Sequence, residues 1–143
     1  MRVSPMRPTS GITLVLPLVL AACALITHYD PTSYKNATDL KAEALILMDK
    51  AKDPPAGHAA AIDAVELKLQ QAYEYERGKG DPNRFTVGQW AILLDPGRDL
   101  LGGFLRKWRV DNAAQGAAFI DEKKKQVAKA FDEIIALERA KVK

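Results

Sequence analysis

Residues 117–140, AAFIDEKKKQVAKAFDEIIALERA, carry the pattern that decides the fold. Phe119, Ile120, Val127, Ala130, Phe131, Ile134, Ile135 and Leu137 recur at spacings of three and four, the period of a helix with one apolar face. Asp121 and Glu122 stand near its start, where acids complement the helix dipole. Lys123, Lys124 and Lys125 interrupt the apolar pattern. Three consecutive helical positions fan across about 200°, so these lysines form no compact basic patch and read as a solvated face.

Upstream the same period returns. Leu40, Ala44, Leu45, Leu47, Met48 and Ala51 define a helix over 34–52, with Ser33 as its expected N-cap, and Asp53-Pro54-Pro55 stops it. Ala61, Ile62, Val65, Leu69, Ala72 and Tyr73 define a second helix over 58–77, closed by the loop Gly78-Lys79-Gly80-Asp81-Pro82-Asn83. Thr86 is placed as the cap of a short helix over 87–94 that carries Trp90, Leu93 and Leu94. Asp95-Pro96-Gly97 interrupts it by turn chemistry.

A further helix is expected over 98–109, RDLLGGFLRKWR, with Leu100, Leu101, Phe104, Leu105 and Trp108 on one face. Gly102 and Gly103 in its middle cost about 2 kcal/mol of helix propensity relative to alanine. Either a close backbone approach to a neighbouring helix offsets that cost, or the helix breaks there. Asp111-Asn112 is placed at the beginning of the last element. No period-two strand and no internal repeat is visible. The expectation is an all-α domain over 34–143: a small helical bundle of three long helices plus a short, broken helical segment.

The first thirty residues follow a different logic. MRVSPMRPTS carries two arginines and no acid, and GITLVLPLVLAA, residues 11–22, carries no charge. A positive start, a short apolar run and small residues before a cleavage point make up a secretory signal. The apolar run to Ile26 is 16 residues with Pro17 inside it, short of the roughly 20 a spanning helix needs. Leu20-Ala21-Ala22-Cys23 resembles the lipobox of bacterial lipoproteins: an aliphatic residue, two small residues and the cysteine. The resemblance implies cleavage before Cys23, diacylglycerol on its thiol and often an acyl chain on its new amine. Residues 1–22 are then a cleaved signal peptide and 23–33 a lipidated tether. An aspartate after the cysteine favours inner-membrane retention in enteric members of that class. Ala24 stands there instead, so the resemblance implies the outer membrane, facing the periplasm.

Removing Arg2 and Arg7 with the leader leaves 19 basic and 18 acidic side chains. A near-neutral domain without a basic face gives no footprint for nucleic acid. Cys23 is the sole cysteine, so no internal disulfide can form, and no haem attachment motif is present. His28 and His58 are the only histidines and share no helical spacing, which argues against a zinc site. No cofactor is expected beyond lipid on Cys23. Ser4, Ser10 and Ser33 poorly supply a serine triad. Asp95 with Asp99, or Asp121 with Glu122, are candidate carboxylate pairs, although turn and helix-start chemistry explain them as well.

In the 98–109 segment Arg106, Lys107 and Arg109 join Leu101, Phe104 and Trp108 as a candidate membrane or partner contact; a core helix with cations at its C-terminal end is the leading reading. The expected function is a membrane-anchored envelope lipoprotein, non-catalytic, that binds an envelope partner. The alternative is a small-molecule or lipid carrier with an apolar pocket near Trp90, Phe104 and Trp108. A carboxylate-dependent envelope enzyme ranks third.

Overall fold

The computed structural model describes residues 27–141. Among them are five α-helices and no strand: α1 (Pro31–Asp49), α2 (Ala59–Arg77), α3 (Arg84–Leu94), α4 (Leu101–Asp111) and α5 (Ala117–Ala140). The expected all-α bundle is present. α1, α2 and α5 are the long members, and α3 and α4 form the broken segment. None of the five is long and apolar enough to cross a membrane.

The start of α1 differs from the expectation by one turn. Asp30, not Ser33, is the N-cap, and its carboxylate accepts the Thr32 N–H at 2.8 Å. Pro31 follows at the first helical position, where its fixed φ fits and its missing N–H is no loss. The segment 23–33 is therefore not a tether along its whole length, because from Thr27 onward it belongs to the fold.

The other boundaries shift for similar reasons. α1 ends at Asp49 and a single 3-10 turn, Lys50–Lys52, continues it to the prolines. Thr86 does not cap α3. The helix begins at Arg84, after a 3-10 turn over Asp81–Asn83, and Thr86 lies buried inside it. Gly80 takes φ 79°, a left-handed conformation that favours glycine, and turns the chain from α2 into that 3-10 turn. Asp111 ends α4 rather than opening α5, and Asn112 caps it at φ 49°, with its N–H on the Trp108 carbonyl at 3.2 Å. Asparagine is among the few non-glycine residues that take this conformation readily.

The core is continuous. α1 packs against α5 and α2, and α3 packs against both α2 and α5. Leu40, Leu47 and Met48 of α1 meet Ile62, Val65 and Leu69 of α2, Trp90 of α3, Leu105 of α4, and Val127 and Phe131 of α5 in one buried cluster. Trp90 meets Phe131 edge-on at 6.0 Å between ring centroids. Trp108 is fully buried, and its indole N–H donates to the Asp53 carbonyl at 3.0 Å. That bond ties α4 to the proline loop between α1 and α2.

The glycine pair has a clear structural return. A Cβ on Gly102 would stand 2.2 Å from the Leu94 carbonyl oxygen and 2.6 Å from its carbon. α4 therefore closes onto the end of α3 at a distance that only glycine allows. The loop accepts Gly103 in the same way, since a Cβ there would stand 1.8 Å from the Arg98 carbonyl oxygen.

Candidate functional site

The 98–109 candidates separate into two groups. Leu101, Phe104 and Trp108 are core residues, at most 2% exposed, and cannot meet a membrane or partner without unfolding α4. Their large apolar side chains are what hold α4 to the bundle, so the contact reading is corrected for these three. Arg106, Lys107 and Arg109 remain on the surface. Arg109 reaches Asp63 at 2.5 Å and Glu66 at 2.8 Å on α2. Lys107 pairs with Asp111 at 2.6 Å, and with Gln115 it holds that carboxyl below the ordinary carboxylate range. Arg106 and Lys107 also line an open polar cleft of about 350 Å³ with Arg98 and Asp99. The pocket expected near Trp90, Phe104 and Trp108 is filled by those side chains, which pack into the core.

The lysine run is corrected in part. Lys123 is buried, pairs with Asp99, and sits 5.8 Å from the centre of the Phe119 ring. Its neighbour Lys124 is half-buried and grips Asp49 of α1 at 2.7 Å, while Lys125 alone is exposed. Of the carboxylate candidates, Asp95 accepts the Gly97 N–H at 2.7 Å as turn chemistry requires, and Glu122 accepts Gln126 at 3.0 Å. Asp121 is exposed. Leu20, Ala21, Ala22 and Cys23 lie outside the described residues.

The concentrated polar chemistry lies elsewhere, at the end of the bundle where the described chain begins. Glu76 near the end of α2 and Glu138 near the end of α5 are 1% and 0% exposed. Between them stands Asn83. Its amide donates to the Glu76 main-chain oxygen at 2.9 Å and to Glu76 Oε2 at 2.6 Å. Its oxygen accepts Lys141 Nζ at 2.8 Å and the Thr27 hydroxyl at 3.1 Å. Both amide protons and both lone pairs are thus used.

Lys141 also bonds Glu138 Oε1, which takes the Thr86 hydroxyl at 3.3 Å as well. On the α1 side the buried Ser33 hydroxyl donates to Glu76 Oε1 and accepts from Lys79. Lys79 further reaches Glu76 Oε2 at 3.1 Å and Asp30 at 3.0 Å. Burial acts to raise the Asp30 carboxyl. Hydrogen bonds from Tyr75 Oη, Lys79 and the Thr32 N–H outweigh it and hold the group well below the ordinary carboxylate range. Burial likewise acts to lower Lys79, but Asp30 and Glu76 hold it above its ordinary value.

One atom is left over. Glu138 Oε2 is buried and has no hydrogen-bond partner among the described residues. A buried acceptor without a donor costs about 1–3 kcal/mol, more when it is charged. No family model, curated protein or solved structure matches this chain.

Each member of this cluster is unremarkable alone in the sequence. The signal lay in register. On α2 the apolar series 62, 65, 69, 72 continues to Glu76, and on α5 the series 127, 131, 134 continues to Glu138. On α1 the series 37, 40, 44, 47 runs back to Ser33. A charged residue at a core position must find a partner in the fold. Among the described residues no group of three or more His, Cys, Asp or Glu side chains is arranged to hold a metal ion.

Proposed function

We propose that this chain is a lipid-anchored accessory protein of the bacterial envelope. Cys23 carries the lipid, the leader 1–22 is removed, and the helical bundle binds an envelope protein without catalysing a reaction. The leader charge, the apolar run and Leu20-Ala21-Ala22-Cys23 support the anchor.

The observation that carries the reading is the shortness of the link between anchor and fold. Thr27 is already bonded to Asn83, and α1 starts at Pro31. Four extended residues from Cys23 to Thr27 span at most about 14 Å. Lipid on Cys23 therefore holds the Asn83 end of the bundle close to the bilayer, and the Trp108 side of the domain projects outward. Two or three acyl chains anchor stably, whereas one gives only marginal binding.

The test is Cys23→Ser in the full chain, with membrane fractionation and labelled palmitate. The expected result is loss of palmitate, an uncut leader and a larger product. A variant that is processed to the same size and stays in the same membrane fraction overturns the lipobox reading. Cross-linking in intact cells, followed by recovery of the chain, tests the partner: an envelope protein retained by the parent and lost from the Cys23 variant is expected.

A further inference from the structure

The end of the bundle nearest Thr27 carries an exposed apolar surface. Phe85, in the first turn of α3, is 66% exposed although it is a large apolar residue, and the Arg84 guanidinium stands 4.8 Å from the centre of its ring. Pro82 beside it and Ala140 at the end of α5 are exposed, and Leu137 is half-buried. Together they line a hollow between α3 and α5. Leu137 and Ala140 continue into a second hollow with Ala136, which closes on the polar side chains of Gln89 and Glu133. Gln89 lies four residues inward from Phe85, and Glu133 seven inward from Ala140. At helical rise the apolar surface therefore extends about 6–10 Å from the bundle end.

What meets this surface follows from where the chain leads. The Thr27 hydroxyl bonds Asn83, which is the neighbour of Pro82 and two residues from Phe85. The four residues from Cys23 to Thr27 span at most about 14 Å. An anchor at Cys23 thus delivers to the bilayer the same end of the bundle that exposes Phe85. Depth agrees with position, since apolar faces of peripheral proteins enter the headgroup boundary by about 5–10 Å. The arginine beside the ring suits that layer as well. Its stem lies against apolar surface while its charge stays among the headgroups.

We propose that Pro82, Phe85, Leu137 and Ala140 dock into the interfacial layer of the membrane that carries the anchor, as a second contact between the domain and the bilayer. The contact rests on the anchor at Cys23, which brings the surface within reach. It adds what lipid alone does not supply, a fixed orientation: a single tether lets the domain turn, and a second contact decides which face meets the bilayer. Val110 of α4, 74% exposed, lies on the Trp108 side and stays in water.

The test uses the full chain recovered from membranes and reconstituted into vesicles of phosphatidylcholine and phosphatidylglycerol, with lipids brominated near the headgroup end of the acyl chain as quenchers. Phe85→Trp and Val110→Trp each place a reporter at an exposed position, and the parent gives the background of the buried Trp90 and Trp108. Bromolipid is expected to quench the added fluorescence of the Phe85 variant several-fold more than that of the Val110 variant. Ala140→Trp, at an exposed position on the same surface, gives the same result should the Phe85 variant misfold. Labelled palmitate reads the anchor separately. Palmitate-bearing protein whose Phe85 and Val110 variants are quenched equally overturns the docking contact and leaves the anchor standing. Selective quenching of the Phe85 variant without palmitate removes the lipid and keeps the contact. A Phe85 reporter shielded from aqueous acrylamide yet untouched by bromolipid assigns the surface to a second copy of the chain and overturns the proposal.

Discussion

Asn83 and Glu76 are joined at two points, by amide donation to the main-chain oxygen at 2.9 Å and to Oε2 at 2.6 Å. The same amide takes Lys141 on its oxygen, so one neutral side chain links the buried acid of α2 to the end of α5. Asn83→Ala removes a donor from a buried carboxylate and an acceptor from a buried ammonium. The expected loss is about 2–4 kcal/mol in urea denaturation, since broken buried charge networks leave desolvated groups unpaired. Asn83→Asp is expected to be worse at pH 7 and to recover on acidification, because it sets a second carboxylate against Glu76.

Asp30 makes stability fall in acid. Its carboxyl lies well below the ordinary carboxylate range in the folded chain, because its bonds to Tyr75, Lys79 and Thr32 outweigh the opposing effect of burial. A depressed acid contributes stability that is complete above its unfolded value and is lost as pH falls through the folded one. Denaturant midpoints should therefore decline below about pH 4. Asp30→Asn is expected to be less stable at pH 7 and to show a shallower decline. Equal slopes for parent and variant would show that Asp30 is not the acid-sensitive group.

Gly102 and Gly88 make a contrasting pair. Alanine at Gly102 drives a methyl into the Leu94 backbone at 2.2 Å, and backbone cannot rotate away. G102A should lose about 2–4 kcal/mol, as overpacked core sites do. At Gly88, inside α3, an added Cβ meets nothing within 4 Å. Gly88→Ala should gain about 0.5–1 kcal/mol from helix propensity alone. Thermal unfolding of both variants against the parent checks the two signs together.

The three consecutive lysines of α5 should respond unequally. Lys123 is buried, while Asp99, its partner, is 88% exposed on its side chain. Such a pair contributes little through charge, so the packing of the stem dominates. Lys123→Ala is expected to cost about 1–2 kcal/mol and Lys123→Met much less. Lys125→Ala should fall within about 0.5 kcal/mol of the parent. Chemical denaturation of the three variants separates burial from charge.

What the sequence determined was periodicity, and through it the helices. The apolar spacing of 117–140 marked the body of α5, although not its start, which is expected at Asp111-Asn112, and the proline and glycine loops between 53 and 57 and between 78 and 83 separated α1, α2 and α3. These features are local: a helix period needs only the residues of one segment, and a proline breaks a ladder wherever it stands. The double glycine was legible as a choice between contact and break, and the Leu94 carbonyl decided it.

What only the tertiary structure decided was the fate of polar residues on the apolar register. Ser33 reads alone as a cap and Lys123 as part of a solvated face, and nothing in the local pattern singles out Glu76 or Glu138. α1 runs opposite to both α2 and α5, and that arrangement brings Ser33 beside Glu76, with Asn83 and Lys141 bridging from there to Glu138. Burial of a charge is tolerable only when partners arrive from distant parts of the chain. Partners 43 or 58 residues apart leave no mark in local spacing. The bundle end that Asn83 seals is a product of packing.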